Sequence, residues 1–119
     1  MPSIRQEKFA RMIQRDISQI IQRNTHTFFE GKMILVNDVV ASPDLSYVKV
    51  YLGFINQTER QYLLELVNFH AKEIRHELAQ LIRNQVRKVP EITYYIDDTL
   101  DHALKMDKIF EKINTNKSE

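Results

Sequence analysis

Two short strand-like segments joined by a tight turn constrain the fold of this chain most. Over residues 47–52, Tyr, Lys and Tyr alternate with Val, Val and Leu, the period-two pattern of a strand with one face on a core. The preceding runs, residues 33–36 and 39–41, are rich in β-branched side chains. Ser42-Pro43-Asp44 predicts a turn, because proline fixes φ and aspartate bonds its own backbone. An antiparallel hairpin is therefore expected, with a bulge at Asn37-Asp38.

A long amphipathic helix is predicted before the hairpin. Its apolar positions recur at helical spacing across residues 4–24: Phe9, Ile13, Ile17, Ile20 and Ile21. Four basic side chains fall on an arc beside that apolar face: Arg5, Lys8, Arg11 and Arg15. Such a helix can lie on a sheet and present a cationic edge to a partner. Residues 25–32 are expected to form a loop.

Two more helices, a strand and a last helix are predicted after the hairpin. Thr58 with Gln61 fits a capping box, and a break in the helix that follows is expected near residues 68–72. A second apolar stripe continues to Pro90, which is expected to end its helix: Ile74, Leu78, Leu81, Ile82 and Val86. Residues 92–96 predict a strand. Asp98 or Thr99 is expected to cap the last helix, with a frayed tail from about residue 114. This order favours one sheet with helices on one face, an α+β fold.

Size and composition limit the classes of protein to which the chain can belong. A chain of 119 residues, 43% of them hydrophobic, is expected to be a single domain over residues 1–119. It has no cysteine, and therefore no disulfide framework and no zinc-finger ligand set. No segment has the pattern of a signal peptide or the length of an apolar membrane span, so a cytoplasmic protein is expected.

The positive charge is concentrated in two parts of the chain. Residues 1–32 hold six Lys or Arg against three acids, and residues 69–90 hold five against two. The remaining segments are net negative, which leaves +1 for the whole chain. The two basic segments form one basic face if the fold brings them together, as in a nucleic-acid-binding protein. Ordinary solvated helix surface is the alternative.

Catalytic and cofactor motifs are missing. With Gly31 and Gly53 as the only glycines, the chain builds neither a Walker A loop nor a dinucleotide fingerprint. No two histidines lie four residues apart, so no metal site and no cofactor are expected. Asp97, Asp98 and Asp101 could form a metal-dependent nuclease site, but helix capping and first-turn acids explain all three and are preferred. The chain is therefore not expected to be an enzyme.

The basic side chains remain as candidates for function. Arginine makes forked hydrogen bonds to phosphate and lysine acts as a point charge, which suits RNA, whose helices are recognised through phosphates and 2′-hydroxyls. Tyr47 and Tyr51 lie on one strand face, where they could stack on bases. Cross-strand packing is the preferred role for both.

These motifs together resemble the ribosome-binding factor A family of small bacterial maturation factors. The resemblance covers roughly residues 4–113. It rests on the Arg-rich first helix, on Ser42-Pro43-Asp44-Leu45-Ser46 followed by Val48-Lys49-Val50-Tyr51, on Glu73-Ile74-Arg75, and on Arg87-Lys88-Val89-Pro90-Glu91 followed by Tyr94-Tyr95-Ile96-Asp97.

The resemblance implies a type II KH-like αββααβ domain with an additional C-terminal helix and without the Gly-x-x-Gly loop. It implies binding to rRNA of the immature small ribosomal subunit, around the neck and decoding region, in support of late folding and processing of the rRNA ends. It also implies no catalysis; a monomer is expected, with no membrane and no small-molecule substrate. Arg5, Arg75 and Arg87 fall at matching basic positions. Charge placement adds further RNA-binding candidates: Lys8, Arg11, Arg15, Lys72, Arg83 and Lys88.

The chain departs from the family at one place. The family usually has an Ala-x-Gly kink between its two central helices, and the equivalent stretch is His70-Ala71-Lys72. A lysine there is expected either to keep the kink at a conformational cost or to straighten it. The alternative function is a generic KH-like module that binds nucleic acid or protein without ribosome specificity, or that dimerises through its sheet.

Overall fold

The structure, a computed structural model, describes residues 2–97. Its elements are α1 (Ile4–Arg23), α2 (Thr25–Phe28), β1 (Ile34–Ala41), β2 (Tyr47–Phe54), a 3₁₀ turn (Gln57–Glu59), α3 (Arg60–Phe69), α4 (Ala71–Ile82) and β3 (Glu91–Ile96). The predicted last helix and frayed tail lie outside the described residues. No helix within residues 2–97 has the length and apolar character needed to span a membrane.

The three strands form one mixed sheet in the order β1-β2-β3. The predicted antiparallel hairpin of β1 and β2 is confirmed, and β3 pairs with β2 in parallel. The predicted bulge is also confirmed. Pairing passes from Val36 opposite Leu52 to Asp38 opposite Tyr51, which leaves Asn37 as the extra residue of β1.

The helices pack on one face of this sheet because the strands alternate. Val48, Val50 and Leu52 of β2 are fully buried beneath the helices, whereas Lys49 on the opposite face is exposed. The five apolar positions predicted for α1 are all buried, with exposed fractions of 8% or less. Ile74, Leu78 and Ile82 of α4 complete the core. The prediction that Leu81 belongs to the same apolar stripe is wrong, since its side chain is exposed. Hydrophobic periodicity thus predicts correctly which face of each helix packs on the sheet.

Helix α1 is also fixed to the edge strand by polar side chains. A capping box between Ser3 and Gln6 begins the helix. The amide of Gln6 then donates to the Ala41 carbonyl at 3.0 Å. About two turns further on, Gln14 donates to the carbonyls of Val36 and Asn37, each at 3.3 Å. These bonds hold α1 along β1 from the bulge at Asn37 to the end of the strand at Ala41.

Two predictions of local structure are wrong, one before the hairpin and one after it. Residues 25–28 form the single turn α2 within the segment expected to be a loop. Thr58 does not cap a helix. Instead, the Asn56 side chain accepts from the Thr58 backbone N–H at 3.2 Å and begins the 3₁₀ turn, so α3 starts only at Arg60. Asparagine competes effectively for a cap position, and the Thr58 hydroxyl donates to the same Asn56 oxygen.

The expectation that the second central helix continues to Pro90 is also wrong. Helix α4 ends at Ile82, whose carbonyl accepts from the backbone N–H groups of Gln85 and Val86 at 2.8 and 3.0 Å. The chain then runs as an irregular loop into β3. Arg87 and Lys88 therefore lie on a loop and not on a helix.

The predicted break between the central helices is confirmed at His70. Its φ of −97° and ψ of 16° are outside the helical range. Because φ is negative, the position does not require glycine. The imidazole stacks on Phe28 with ring centroids 4.2 Å apart, and its Nδ1 lies 2.9 Å from a carboxylate oxygen of Glu73. The kink is thus kept by aromatic packing, and Lys72 lies after it, within α4.

Gly53 leaves space for a side chain that crosses the sheet. The Asn37 amide reaches over β2 and donates to the Asp97 carboxylate at 2.9 Å. A Cβ atom on Gly53 would lie 2.6 Å from that amide nitrogen. Substitution Gly53→Ala is therefore expected to displace the Asn37 side chain from Asp97 and to lower the free energy of unfolding by about 0.5–1 kcal/mol, measured by urea denaturation. In an Asn37→Ala background the same change is expected to have less than half that effect; an equal effect would contradict the clash.

Candidate nucleic-acid interface

A cleft at one end of the sheet brings the two basic segments together. Its volume is about 600 Å³. Arg5 and Lys8 enter it from α1, and Arg87 and Lys88 enter it from the loop after α4. All four side chains are exposed, and none has an ion-pair partner among residues 2–97. The fold thus places four unneutralised cations around one concavity, which is the arrangement that attracts a polyanion.

The turn between β1 and β2 forms a third wall of the cleft. One carboxylate oxygen of Asp44 accepts from the hydroxyls of Ser42 and Ser46, each at 2.8 Å, and from the Ser46 backbone N–H at 3.1 Å. These bonds, those of Ser46 above all, hold the pKa of Asp44 at about 2. The next residue, Leu45, has a φ of 62°. Side-chain hydrogen bonds thus fix a turn whose backbone is unfavourable for leucine.

Arg75 holds the cationic loop in place. Its guanidinium donates to the carbonyls of Val89 at 3.0 Å and Pro90 at 2.5 Å. Because Arg75 is half-buried and its donors bond to the backbone, it ties the loop to α4. The structure therefore places this sequence-predicted residue behind the cleft, where it positions Arg87 and Lys88.

The other predicted RNA-binding residues lie outside the cleft. Arg11 borders a separate groove between α1 and β1. Arg15 pairs through Nε with the buried carboxylate of Asp16 at 3.1 Å. Arg83 is exposed just after the last residue of α4. Lys72 lies near the opposite end of α4, roughly 15 Å along the helix from Ile82.

The strand tyrosines make the cross-strand contacts that the sequence favours. Tyr51 stacks on Tyr95 with ring centroids 5.5 Å apart, and the Tyr47 hydroxyl donates to the Thr93 hydroxyl at 2.6 Å. Among residues 2–97, no three His, Asp or Glu side chains cluster as a metal site would need. Asp98 and Asp101 of the metal-site hypothesis lie outside the described residues.

Sequence reasoning missed the apolar and acidic lining of the cleft. Side chains that line it besides the cations include Phe9, Met12, Asp44, Leu45, Val86 and Val89. Ser42-Pro43-Asp44 indicates the turn but gives no sign that its next residue adopts a positive φ. Strand β3 pairs with β2 in parallel, and this brings Glu91 opposite Tyr47. The cationic loop, which ends where β3 begins at Glu91, therefore lies beside that turn.

Comparison with known proteins identifies the family. The family model for ribosome-binding factor A matches residues 5–110. The chain belongs to the ribosome-binding factor A family. The family member of Cytophaga hutchinsonii is 39% identical over 119 residues, which is 100% of this chain and 90% of that protein. That of Chlorobaculum parvum is 30% identical over 98% of this chain and 97% of its own length.

Solved structures of the family share the fold. The crystal structure of ribosome-binding factor A from Thermus thermophilus superposes with a TM-score of 0.64 at 19% identity, covering 76% of this chain and 94% of that one. A homology model of the Thermus thermophilus protein, fitted into a cryo-EM map of a 30S complex, gives a TM-score of 0.57 at 21% identity over 71% of this chain and 87% of that one. The expected KH-like α+β fold is therefore confirmed.

The hydrogen bonds of the turn predict a pH-dependent stability. Because the pKa of Asp44 is lowered in the folded protein, its contribution is present above the ordinary carboxyl pKa and is lost as the pH falls towards about 2. Substitution Ser46→Ala is expected to raise the pKa of Asp44, as measured by an NMR titration of its carboxyl carbon. It is also expected to reduce the urea midpoint at pH 6 but not near pH 2. The control Ser18→Ala, in α1, is expected to leave the pKa of Asp44 unchanged and to shift the urea midpoint by the same amount at both pH values.

Removal of the Arg75 guanidinium is expected to release the cationic loop. Substitution Arg75→Ala leaves two backbone carbonyls without their donors, so the free energy of unfolding is expected to fall by about 1–3 kcal/mol. Amide hydrogen exchange at residues 86–89 is expected to accelerate more than exchange in the core of β2. Arg83→Ala removes an exposed arginine from the same region and serves as the control. Equal effects of the two substitutions would contradict the positioning role.

Proposed function

We propose that this chain is a non-enzymatic assembly factor that binds small-subunit rRNA through the basic cleft and aids late maturation and rRNA end processing. The observation that carries the proposal is the convergence of Arg5, Lys8, Arg87 and Lys88 from two distant segments on one concavity. Membership of a family named for ribosome binding, and a relative fitted into a map of a 30S complex, give the partner. The protein acts as a cytoplasmic monomer formed by one KH-like domain.

The four cations of the cleft supply an electrostatic contact that does not by itself depend on RNA sequence. Lysine and arginine side chains neutralise phosphates and release counterions, so the affinity falls as salt rises. The walls that carry these cations also have to be held rigid. Arg75 holds the loop, and the hydrogen bonds to Asp44 hold the turn.

Charge reversal inside and outside the cleft tests this proposal. The variant Arg5→Glu with Lys88→Glu is expected to lose at least about tenfold in affinity for isolated small subunits, and its salt dependence is expected to become weaker. The variant Arg11→Glu with Lys72→Glu has the same change in net charge but acts away from the cleft, so a loss below about threefold is expected. Both are measured by co-sedimentation at two salt concentrations.

The same assay separates the proposed function from a generic KH-like module. Association with small subunits and not with large subunits supports the assembly factor. Equal association with both subunits would favour a general nucleic-acid-binding module. Equal losses in the two double variants would show that the overall charge of the domain, and not the cleft, governs binding.

A further inference from the structure

The lining of the cleft does not match a surface that binds phosphates only. Between its cations lie apolar side chains from all three walls: Phe9 and Met12 from α1, Leu45 from the turn, and Val86 and Val89 from the loop. Phosphates gain nothing from an apolar floor. A nucleobase does, because its faces are poorly hydrated and pack on apolar or aromatic surfaces.

The size of the cleft also suits a single nucleobase. Its volume of about 600 Å³ is in the range of sites that enclose a small organic group. Such a space is too small to admit a double helix but admits a single base with its ribose. The cations are exposed beside the apolar floor, where they can meet the flanking phosphates.

The backbone of the turn is strained at the residue that lines the floor. Leu45 adopts a φ of 62° and is partly buried against the core. Leucine rarely adopts this conformation, and strain of this kind persists where the surrounding structure determines it, often at ligand sites. Here the hydrogen bonds from Ser42 and Ser46 to Asp44 hold the turn in this conformation.

Asp44 places a negative charge in an otherwise cationic cleft. One of its oxygens accepts three hydrogen bonds within the turn, and the other has no hydrogen-bond partner among residues 2–97. A carboxylate weakens phosphate binding through repulsion, but it accepts hydrogen bonds from the amino group of a base, as carboxylates do from N4 of cytosine. The acidic group therefore fits recognition of a base edge.

We propose that the cleft holds one unpaired RNA nucleotide, with its base on the floor that includes Leu45 and its flanking phosphates on the cations of the rim. Asp44 selects a base with an exocyclic amino group over uracil. This inference rests on the proposed function, since it assumes that the cleft binds RNA. It adds that binding depends on an unstacked base and on that base's identity.

The test uses fluorescence anisotropy with RNA hairpins that differ at one bulged position. The hairpins carry a cytosine, a uracil or an abasic ribose in the bulge, and a fourth is fully paired. The wild-type chain is expected to bind the cytosine hairpin about tenfold more tightly than the abasic and fully paired hairpins. It is expected to prefer cytosine to uracil about three- to tenfold, because these bases have the same ring size but only cytosine has the amino group.

Two variants connect these preferences to the turn. Asp44→Asn is expected to abolish the preference for cytosine over uracil while it tightens binding to the fully paired hairpin, because a negative charge leaves the cleft. Leu45→Gly is expected to reduce the preference for cytosine over the abasic hairpin. Glycine suits the positive φ, so this variant is expected to remain folded, which a urea denaturation curve checks.

The outcomes separate this inference from the proposed function. Equal affinity for all four hairpins, with small-subunit association still dependent on Arg5 and Lys88, overturns the nucleotide site and leaves the proposed function intact. If the wild-type chain does not associate with small subunits, both proposals are overturned. A preference for cytosine that survives in Asp44→Asn overturns the role of Asp44 and with it the proposed selection.

Discussion

The two hydrogen bonds from Arg75 to the carbonyls of Val89 and Pro90 fix the position of the loop that carries half of the proposed binding surface. Helix α4 ends at Ile82, and the chain has no further regular structure until β3 begins at Glu91. Without a donor from α4, this stretch would be held chiefly by the partly buried Val86 and Val89. A guanidinium suits the task because its planar array of N–H groups can bond two carbonyls at once. The cationic rim of the cleft therefore depends on an arginine that does not itself reach the cleft.

The other side of the cleft is fixed by a different means. The turn from β1 to β2 holds a leucine at a positive φ, and the hydrogen bonds to Asp44 keep it there. Glycine at this position would relieve the strain but would remove an apolar side chain from the floor of the cleft. The chain thus retains an unfavourable backbone conformation at a residue whose side chain lines the proposed binding site.

Much of the fold could be predicted because it depends on local periodicity. The buried positions of α1, the alternation of β2 and the bulge at Asn37 all follow from side-chain pattern. Helix ends were less predictable, since Pro90 sets a limit that α4 does not reach and Asn56 competes with Thr58 as a cap. These outcomes depend on hydrogen bonds between side chains and backbone that periodicity does not reveal.

The candidate site was predictable in charge but not in arrangement. Two basic segments were evident in the sequence, yet only four of the nine candidate cations line the cleft. The division depends on tertiary contacts: Arg75 bonds to the loop, and Arg15 pairs with the buried Asp16. The acidic and apolar lining could not be found from charge, because Asp44 and Leu45 have the pattern of an ordinary turn.

The break at His70 explains why side chains, and not backbone amides, carry the proposed binding. Ordinary KH domains clamp the nucleic-acid backbone with a Gly-x-x-Gly loop. Here the break between the central helices contains no glycine and is filled by the stacking of His70 on Phe28, with Glu73 on the imidazole. A phosphate would have to displace these contacts to approach the backbone. The four cations of the cleft, which have no ion-pair partner among residues 2–97, lie instead beyond the other end of α4. The fold is thus retained while the contact with nucleic acid moves from a glycine loop to a cleft built from side chains.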